Sequence, residues 1–237
     1  FMEYSYDNLL ENGLILFVIP NRFLIPDHAA NKSIMKFDVK YIYHTTNDFN
    51  VSTHIGYFLG YKNNEIKNDK VKTLFKNDQI HYIDLKIPTP SASNDIRYKF
   101  ISDKILNNSL EKIEFLKLKK DNLNENDYLF IPRHWKRYSS KKEKGGKHTF
   151  NICSKYGNDG RFININNNIK DNIIWYLSRS KVIRFITFNY ASTVFIPPFI
   201  WKSIPSIDFT KKYNDNDLYK LFNLNDLECK LIESIID

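Results

Sequence analysis

Seven consecutive apolar residues, Leu14-Ile-Leu-Phe-Val-Ile-Pro20, constrain this chain more than any other stretch. Side chains alternate between the two faces of a strand, so a run with no polar position is apolar on both. Such a strand is stable when helices cover both of its faces. The run therefore predicts a buried central strand of an α/β sheet, ended by Pro20. Before it, Met2, Tyr6, Leu9 and Leu10 recur at helical spacing, and Asn12-Gly13 supplies a stop. After it, a short helix is expected near Asp27, then two strands rich in Tyr, Ile and Phe, "DVKYIYHT" and "THIGYFLGYK".

Residues 62–72 are polar and read as a loop or boundary. Beyond them "TLFKN" and "IHYIDLKI" alternate like half-exposed strands. "DIRYKFISDKILNN" reads as an amphipathic helix with Ile96, Phe100, Ile101, Ile105 and Leu106 along one side. From Glu114 to Ile165 the expected strands are short and the loops basic. "NIIWYLSRSKVIRFITF" returns to a helical period. The tail reads as two capped helices, the first capped by Asn214 or Asp215 and the second by Asn225. There is no internal repeat.

Apolar residues make up 42% of the 237 and aromatics 15%, enough for a packed core. No uninterrupted apolar run approaches the length of a membrane span. The N-terminal residues carry acids where a signal peptide would be basic. Cys153 and Cys229 lack metal-type spacing, and the six histidines include no close pair suited to zinc. A reducing, cytoplasmic setting without membrane contact is the expectation.

The net charge of +8 is unevenly placed. Residues 1–115 hold 14 basic and 14 acidic side chains, residues 116–205 hold 17 and 6, and residues 206–237 hold 4 and 7. The excess is confined to one part of the chain, as expected where one module faces a polyanion. Its densest stretch runs from Phe130 to Phe150. There Arg133, Lys136, Arg137, Lys141, Lys142, Lys144 and Lys147 stand against one acid, Glu143, with His134, Trp135 and Tyr138 interleaved. Lysines suit phosphate oxygens, and Arg133 or Arg137 can read a guanine edge, a contact worth about 1–3 kcal/mol of discrimination. The plainer alternative is a solvated loop with no partner.

Taken in order, these segments resemble the C-terminal half of the γ-class adenine-N6 DNA methyltransferases, in particular the Eco57I-like restriction-modification enzymes. Leu10-Glu-Asn-Gly13-Leu-Ile-Leu-Phe17-Val-Ile-Pro20-Asn-Arg-Phe23-Leu24 follows the family's glycine–strand–proline pattern. His54-Ile-Gly-Tyr57-Phe58-Leu59 fits its next strand. Ile204-Pro205, Asp208-Phe209-Thr210, Asp217-Leu218-Tyr219, Phe222, Leu224 and Ile232-Glu233 follow its closing segment, with Tyr213 in place of a tryptophan. The matches lie at both ends and leave the middle as the variable region.

This resemblance implies an α/β fold: the C-terminal part of a Rossmann-like methyltransferase sheet, then an α+β target-recognition domain, then a C-terminal helical pair. The implied domains are residues 1–70, 71–205 and 206–237. It implies double-stranded DNA as partner, bound through Arg133 to Lys147. A catalytic methyltransferase half, fused or separate, would bind S-adenosylmethionine; none is expected on this chain alone. Phe49 matches the family aromatic that packs on the extruded adenine, a role weighed equally against that of a core phenylalanine at a strand end.

The stretch Ile196-Pro-Pro-Phe199 comes within one residue of the family's catalytic tetrapeptide, Asn/Asp/Ser-Pro-Pro-Tyr/Phe. Ile196 has no acceptor for the target amine, and the family places that tetrapeptide ahead of the "LILFVIP" strand. The Pro-Pro pair is read as an extended connector. No catalytic residue is therefore assigned here, and the chain alone is expected to be inactive. A stand-alone DNA-binding specificity subunit is one alternative. A PD-(D/E)xK-type nuclease, using Asp84 and Lys86 with Asp69 or Asp78, is another.

Overall fold

The computed structural model describes residues 1–26, 28–44, 55–63, 70–75, 78–87, 95–118, 123, 127–137, 148–150, 152, 159–165, 168–190 and 196–236, without the side chains of 135–137 and 148–149. The fold is mixed α/β. Contacts divide it into two compact units, Phe1–Lys99 and Phe100–Asp237.

The first unit contains α1 (Met2–Asn8), β1 (Leu14–Pro20), a 3-10 turn (Asn21–Leu24), α2 (Ala29–Ile34), β2 (Asp38–His44), β3 (Ile55–Tyr61), β4 (Lys70–Leu74) and β5 (Ile80–Asp84). The division between units falls within α3 (Ile96–Leu106). The strands form one sheet in the order β1-β3-β2-β4-β5, antiparallel except for β2 beside β4. The sheet thus runs across residue 70 by way of the β2–β4 pairing.

One face of this sheet is closed. Ile15, Phe17 and Ile19 point from β1 into a cluster with Phe37, Val39, Ile42, Phe58, Val71 and Ile83, against which Met2, Tyr6 and Leu9 pack. The rings interlock edge-on or tilted, with Phe17 5.5 Å from Phe58 and Tyr6 5.1 Å from Phe37, the geometry aromatic quadrupoles favour. Helix α1 follows the expected spacing, except that Leu10 turns outward at 82% exposure. The helix ends earlier than the expected Asn12-Gly13 stop, at Asn8 with Leu9 extended; Asn12, with φ 60°, is left-handed in the turn that leads into β1.

The other face is open, contrary to the buried central strand expected. Leu14, Leu16 and Val18 are 53%, 62% and 55% exposed, and β1 is an edge strand among the described residues. Register extends the apolar surface across the sheet. One row runs Leu16, Leu59, Tyr41, Lys72, Tyr82; the next runs Val18, Tyr57, Tyr43, Leu74, Ile80. Tyr43 and Tyr57 stack at 4.8 Å. The reason for the difference is coverage: α1 supplies apolar side chains to the Ile15–Ile19 face only.

Gly56 lets β3 fit between its neighbours. A Cβ there would lie 2.6 Å from both the Tyr43 carbonyl oxygen and Asn21 Oδ1. The first is backbone and cannot swing away. Gly56→Ala is expected to destabilise the chain by about 1–3 kcal/mol, as overpacking does, lowering its melting temperature by roughly 2–4 °C per kcal/mol. An unchanged melt would show that β2 and β3 are less tightly apposed than this.

The second unit contains β6 (Tyr128–Pro132), β7 (Trp135–Arg137), β8 (His148–Phe150), β9 (Gly160–Asn164), α4 (Lys170–Ser178), α5 (Lys181–Tyr190), α6 (Ile200–Ser203), α7 (Asp215–Leu221) and α8 (Asp226–Ile236). Its strands form two ribbons, β6 with β9 and β7 with β8. The single helical stretch expected over residues 172–188 is two helices. Ser180 breaks it: its Oγ donates to Tyr176 O at 2.6 Å and accepts from Ile183 N, while Asp215 Oδ1 takes the Lys181 N–H at 2.7 Å.

Helix α5 is the hub. Val182, Ile183, Phe185, Ile186 and Tyr190 have no exposure, and α5 packs against α4, α7, α8 and β8. A helix apolar on most sides belongs in an interior. The closing pair is capped as expected. Asn214 and Asp217 form a reciprocal capping box, and Asn225 with Glu228 makes the equivalent bonds at 3.0 and 2.8 Å. Glu228 also holds Lys104 at 2.7 Å. Phe100, expected on the buried side of α3, is 46% exposed, whereas Lys99 is buried.

Candidate nucleic-acid interface

The basic segment begins where two chain crossings fix the backbone. Arg133 N donates to Asp159 O at 3.1 Å, and the Arg133 carbonyl accepts from Ile196 N at 2.8 Å. Ile196 itself is buried. The Ile196-Pro-Pro-Phe199 connector, read from sequence as structural, therefore anchors the root of the basic segment. Arg133 and His134 are both exposed there.

The next three residues form β7, paired antiparallel with β8 in the register Trp135–Phe150, Lys136–Thr149 and Arg137–His148. Trp135, Lys136 and Arg137 are thus placed on one arm of a two-stranded ribbon. Tyr138, Lys141, Lys142, Lys144 and Lys147 lie outside the described residues, as does Phe49. The base of the ribbon is held by an aromatic cluster. Phe150 has no exposure, lies parallel to Phe115 at 6.1 Å and edge-on to Trp201 at 6.0 Å. Phe115 meets Trp201 at 5.0 Å.

One cation escaped the sequence reading. The Arg161 guanidinium lies 5.6 Å over the Trp201 ring, with Nη1 donating to Gly160 O at 2.8 Å. A positive charge over an indole face is attracted to the ring quadrupole. Strand β9 brings Arg161 opposite Ile131 in the β6–β9 register, two residues before Arg133. Nothing in the spacing of Arg161, alone on its strand, signals that placement.

Other sequence candidates resolve locally. Asp84 Oδ1 accepts from Lys86 N at 2.8 Å, the bond of a tight turn. Asp78 stands in a left-handed turn with φ 55°, and Asp69 lies outside the described residues. Among the described residues no three His, Cys, Asp or Glu side chains are grouped to hold a metal ion. Burial and the neighbouring Glu233, Asp226 and Glu228 charges raise the Cys229 thiol, the opposite of an activated nucleophile. No helix among the described residues is long and apolar enough to cross a membrane.

The described glycines do not form a nucleotide-binding turn. Gly13 precedes β1, Gly56 and Gly60 lie within β3, and Gly160 opens β9. None links the carboxyl end of a strand to a helix, so these positions do not fit a S-adenosylmethionine loop.

No protein-family profile matches this chain, and no curated protein matches it. Among solved structures it is similar to the type IIG restriction endonuclease BpuSI, with a TM-score of 0.31 and 13% identity. That match covers 61% of this chain and 20% of the other.

Proposed function

We propose that this chain is the DNA target-recognition portion of a restriction-modification adenine-N6 methyltransferase, working with a catalytic half that supplies S-adenosylmethionine and the catalytic tetrapeptide. The observation that carries this reading is β1. A strand apolar on both faces, left at a sheet edge with Leu14, Leu16 and Val18 open to solvent, is a surface that soluble chains avoid. A further strand beside β1, with helices over its open face, would make it the interior strand its sequence describes. The resemblance from Leu10 to Leu24 names the kind of domain that would do so.

The DNA-facing part of the reading rests on charge and shape. The excess of basic residues is confined to 116–205, and β7–β8 is a two-stranded ribbon, an element of the size a major groove admits. Its root at Arg133 is fixed from both sides by backbone hydrogen bonds. This chain's share of the reaction is to grip the duplex and choose the site; with no cofactor loop among its described glycines, it relies on the catalytic half for methyl transfer.

The test is to express the whole reading frame containing this chain in a bacterial host without its own adenine methylation. Single-molecule sequencing of the host DNA should show N6-methyladenine at one sequence motif. Deleting residues 133–147 should abolish the mark. A fully expressed frame that leaves every adenine unmodified overturns the methyltransferase reading. If the frame encodes no catalytic half yet the chain binds one DNA sequence, the specificity-subunit alternative takes its place.

A further inference from the structure

Strands β1, β2 and β4 run in the same direction, so Pro20, His44 and Leu74 end at one edge of the sheet. The carboxyl edge is where open α/β sheets hold ligands. Directly after Pro20 the chain places Arg22, whose guanidinium lies 5.8 Å over the Phe23 ring. Phe23 in turn stacks on His28 at 4.7 Å and 27°. Phe23 is thus in contact with both a guanidinium and an imidazole.

His28 is fixed in one tautomer. Its Nδ1 accepts from Ala30 N at 3.1 Å as the cap of α2, which leaves the ring proton on Nε2. Burial, and then the Arg22 charge, lowers its pKa, so at neutral pH the imidazole adds no second charge to the stack. Arg22 has no carboxylate among the described ion pairs. Glu3 pairs with Lys36 at 3.1 Å and Asp38 with Lys40 at 2.5 Å. Arg22 Nε is buried with no acceptor. With Nε closed to solvent and the residue half-buried, the terminal Nη donors are the part of this guanidinium that can meet an oxyanion from outside.

We propose that Arg22, laid on Phe23 at the carboxyl end of β1, binds a backbone phosphate of the nucleic acid. The assignment rests on the DNA reading above and adds a contact in the first unit, away from the basic segment in sequence. Neither composition nor the uneven charge distribution points to it, since residues 1–115 are neutral overall.

The experiment compares wild type, Arg22→Ala and Arg22→Lys by fluorescence anisotropy with labelled duplexes over a salt series. The Arg22 Nε–H resonance is followed in parallel with duplex or with inorganic phosphate. Circular dichroism melts control for folding, and Arg22→Lys keeps the charge where Arg22→Ala removes it. Arg22→Ala should weaken binding by about 3–10-fold on every duplex and make the log–log salt slope shallower by about one, the signature of a lost phosphate contact. Arg22→Lys should keep the slope. The resonance should shift saturably with duplex and not with inorganic phosphate at equal phosphate concentration.

If wild type binds duplex but Arg22→Ala changes neither affinity nor slope, this assignment fails and the DNA reading stands. If inorganic phosphate shifts the resonance as well as duplex does, the nucleic-acid source is wrong. If wild type binds no duplex, the reading beneath it fails.

Discussion

Replacing Arg133, Lys136, Arg137, Lys141, Lys142, Lys144 and Lys147 together with glutamine is expected to remove duplex binding. Each neutralised phosphate releases condensed counterions, so log affinity falls with log salt at about 0.9 per contact on B-form DNA. A protein with six or more such contacts loses about 10³-fold or more in affinity between 50 and 200 mM salt. The wild-type chain should show that steep dependence. The glutamine variant should bind at least about 10³-fold more weakly at 50 mM salt, with a slope of about one or less. A circular dichroism melt checks that the variant folds, since surface substitutions usually change stability by no more than about 0.5 kcal/mol each. A variant that melts normally and binds with the original slope would assign the grip elsewhere.

Single substitutions separate gripping from reading. Lys142→Gln or Lys144→Gln should weaken binding equally on all sequences. Arg133→Ala, if its guanidinium reads a guanine, should relax preference at one base pair by about 1–3 kcal/mol. Arg133 is well placed for such a test because its backbone is tied to Asp159 on one side and Ile196 on the other. A side chain on a fixed backbone loses less freedom on docking, and base readout depends on position more than phosphate contact does.

How far the sequence could be read follows from the range of the forces involved. Helix caps are set within a few residues, and the Asn225 and Asn214 caps stand where their chemistry puts them, whereas α1 ends at Asn8, before the Asn12-Gly13 stop. Helix α2 starts later than expected because its cap is His28, a residue that usually signals nothing at an N-terminus. Strand pairing is not local. "IHYIDLKI" holds β5 as expected, but β4 is Lys70–Leu74, starting inside the stretch read as a loop and taking only the first two residues of "TLFKN", and no pattern there says that β4 joins β2 in parallel. The same holds for sites. The cluster of cations from Arg133 to Lys147 is contiguous in sequence and therefore visible. Arg161 over Trp201 and Arg22 over Phe23 depend on packing that only the fold reveals. Ile196-Pro-Pro-Phe199 is the reverse case: read alone it looks catalytic, whereas Ile196 is buried and its amide holds Arg133.

The largest effect should come from charging the open face of β1. Leu14→Lys, Leu16→Glu and Val18→Lys replace side chains already 53%, 62% and 55% exposed, so the 237-residue chain should melt within a few degrees of wild type. It should also associate less at high concentration, since charges on an edge strand block further pairing. If the chain is one half of the proposed enzyme, the same changes fall on a surface that another layer covers. Fully burying a leucine or valine side chain contributes about 1.5–3 kcal/mol, and a little over half of each of these three remains to be covered, so together they lose about 2.5–5 kcal/mol before any cost of burying the new charges. At about 1.4 kcal/mol per decade, association of the two halves should weaken by about 10²-fold or more. Co-purification of a separately expressed catalytic half, and adenine methylation by the fused enzyme, should both be lost while duplex binding by this chain persists. That combination separates an assembly defect from an unfolded protein or a damaged DNA grip. If the triple variant methylates DNA as well as wild type, the Leu14–Val18 face is no internal boundary of an enzyme, and the exposed strand must be explained by a different occupant.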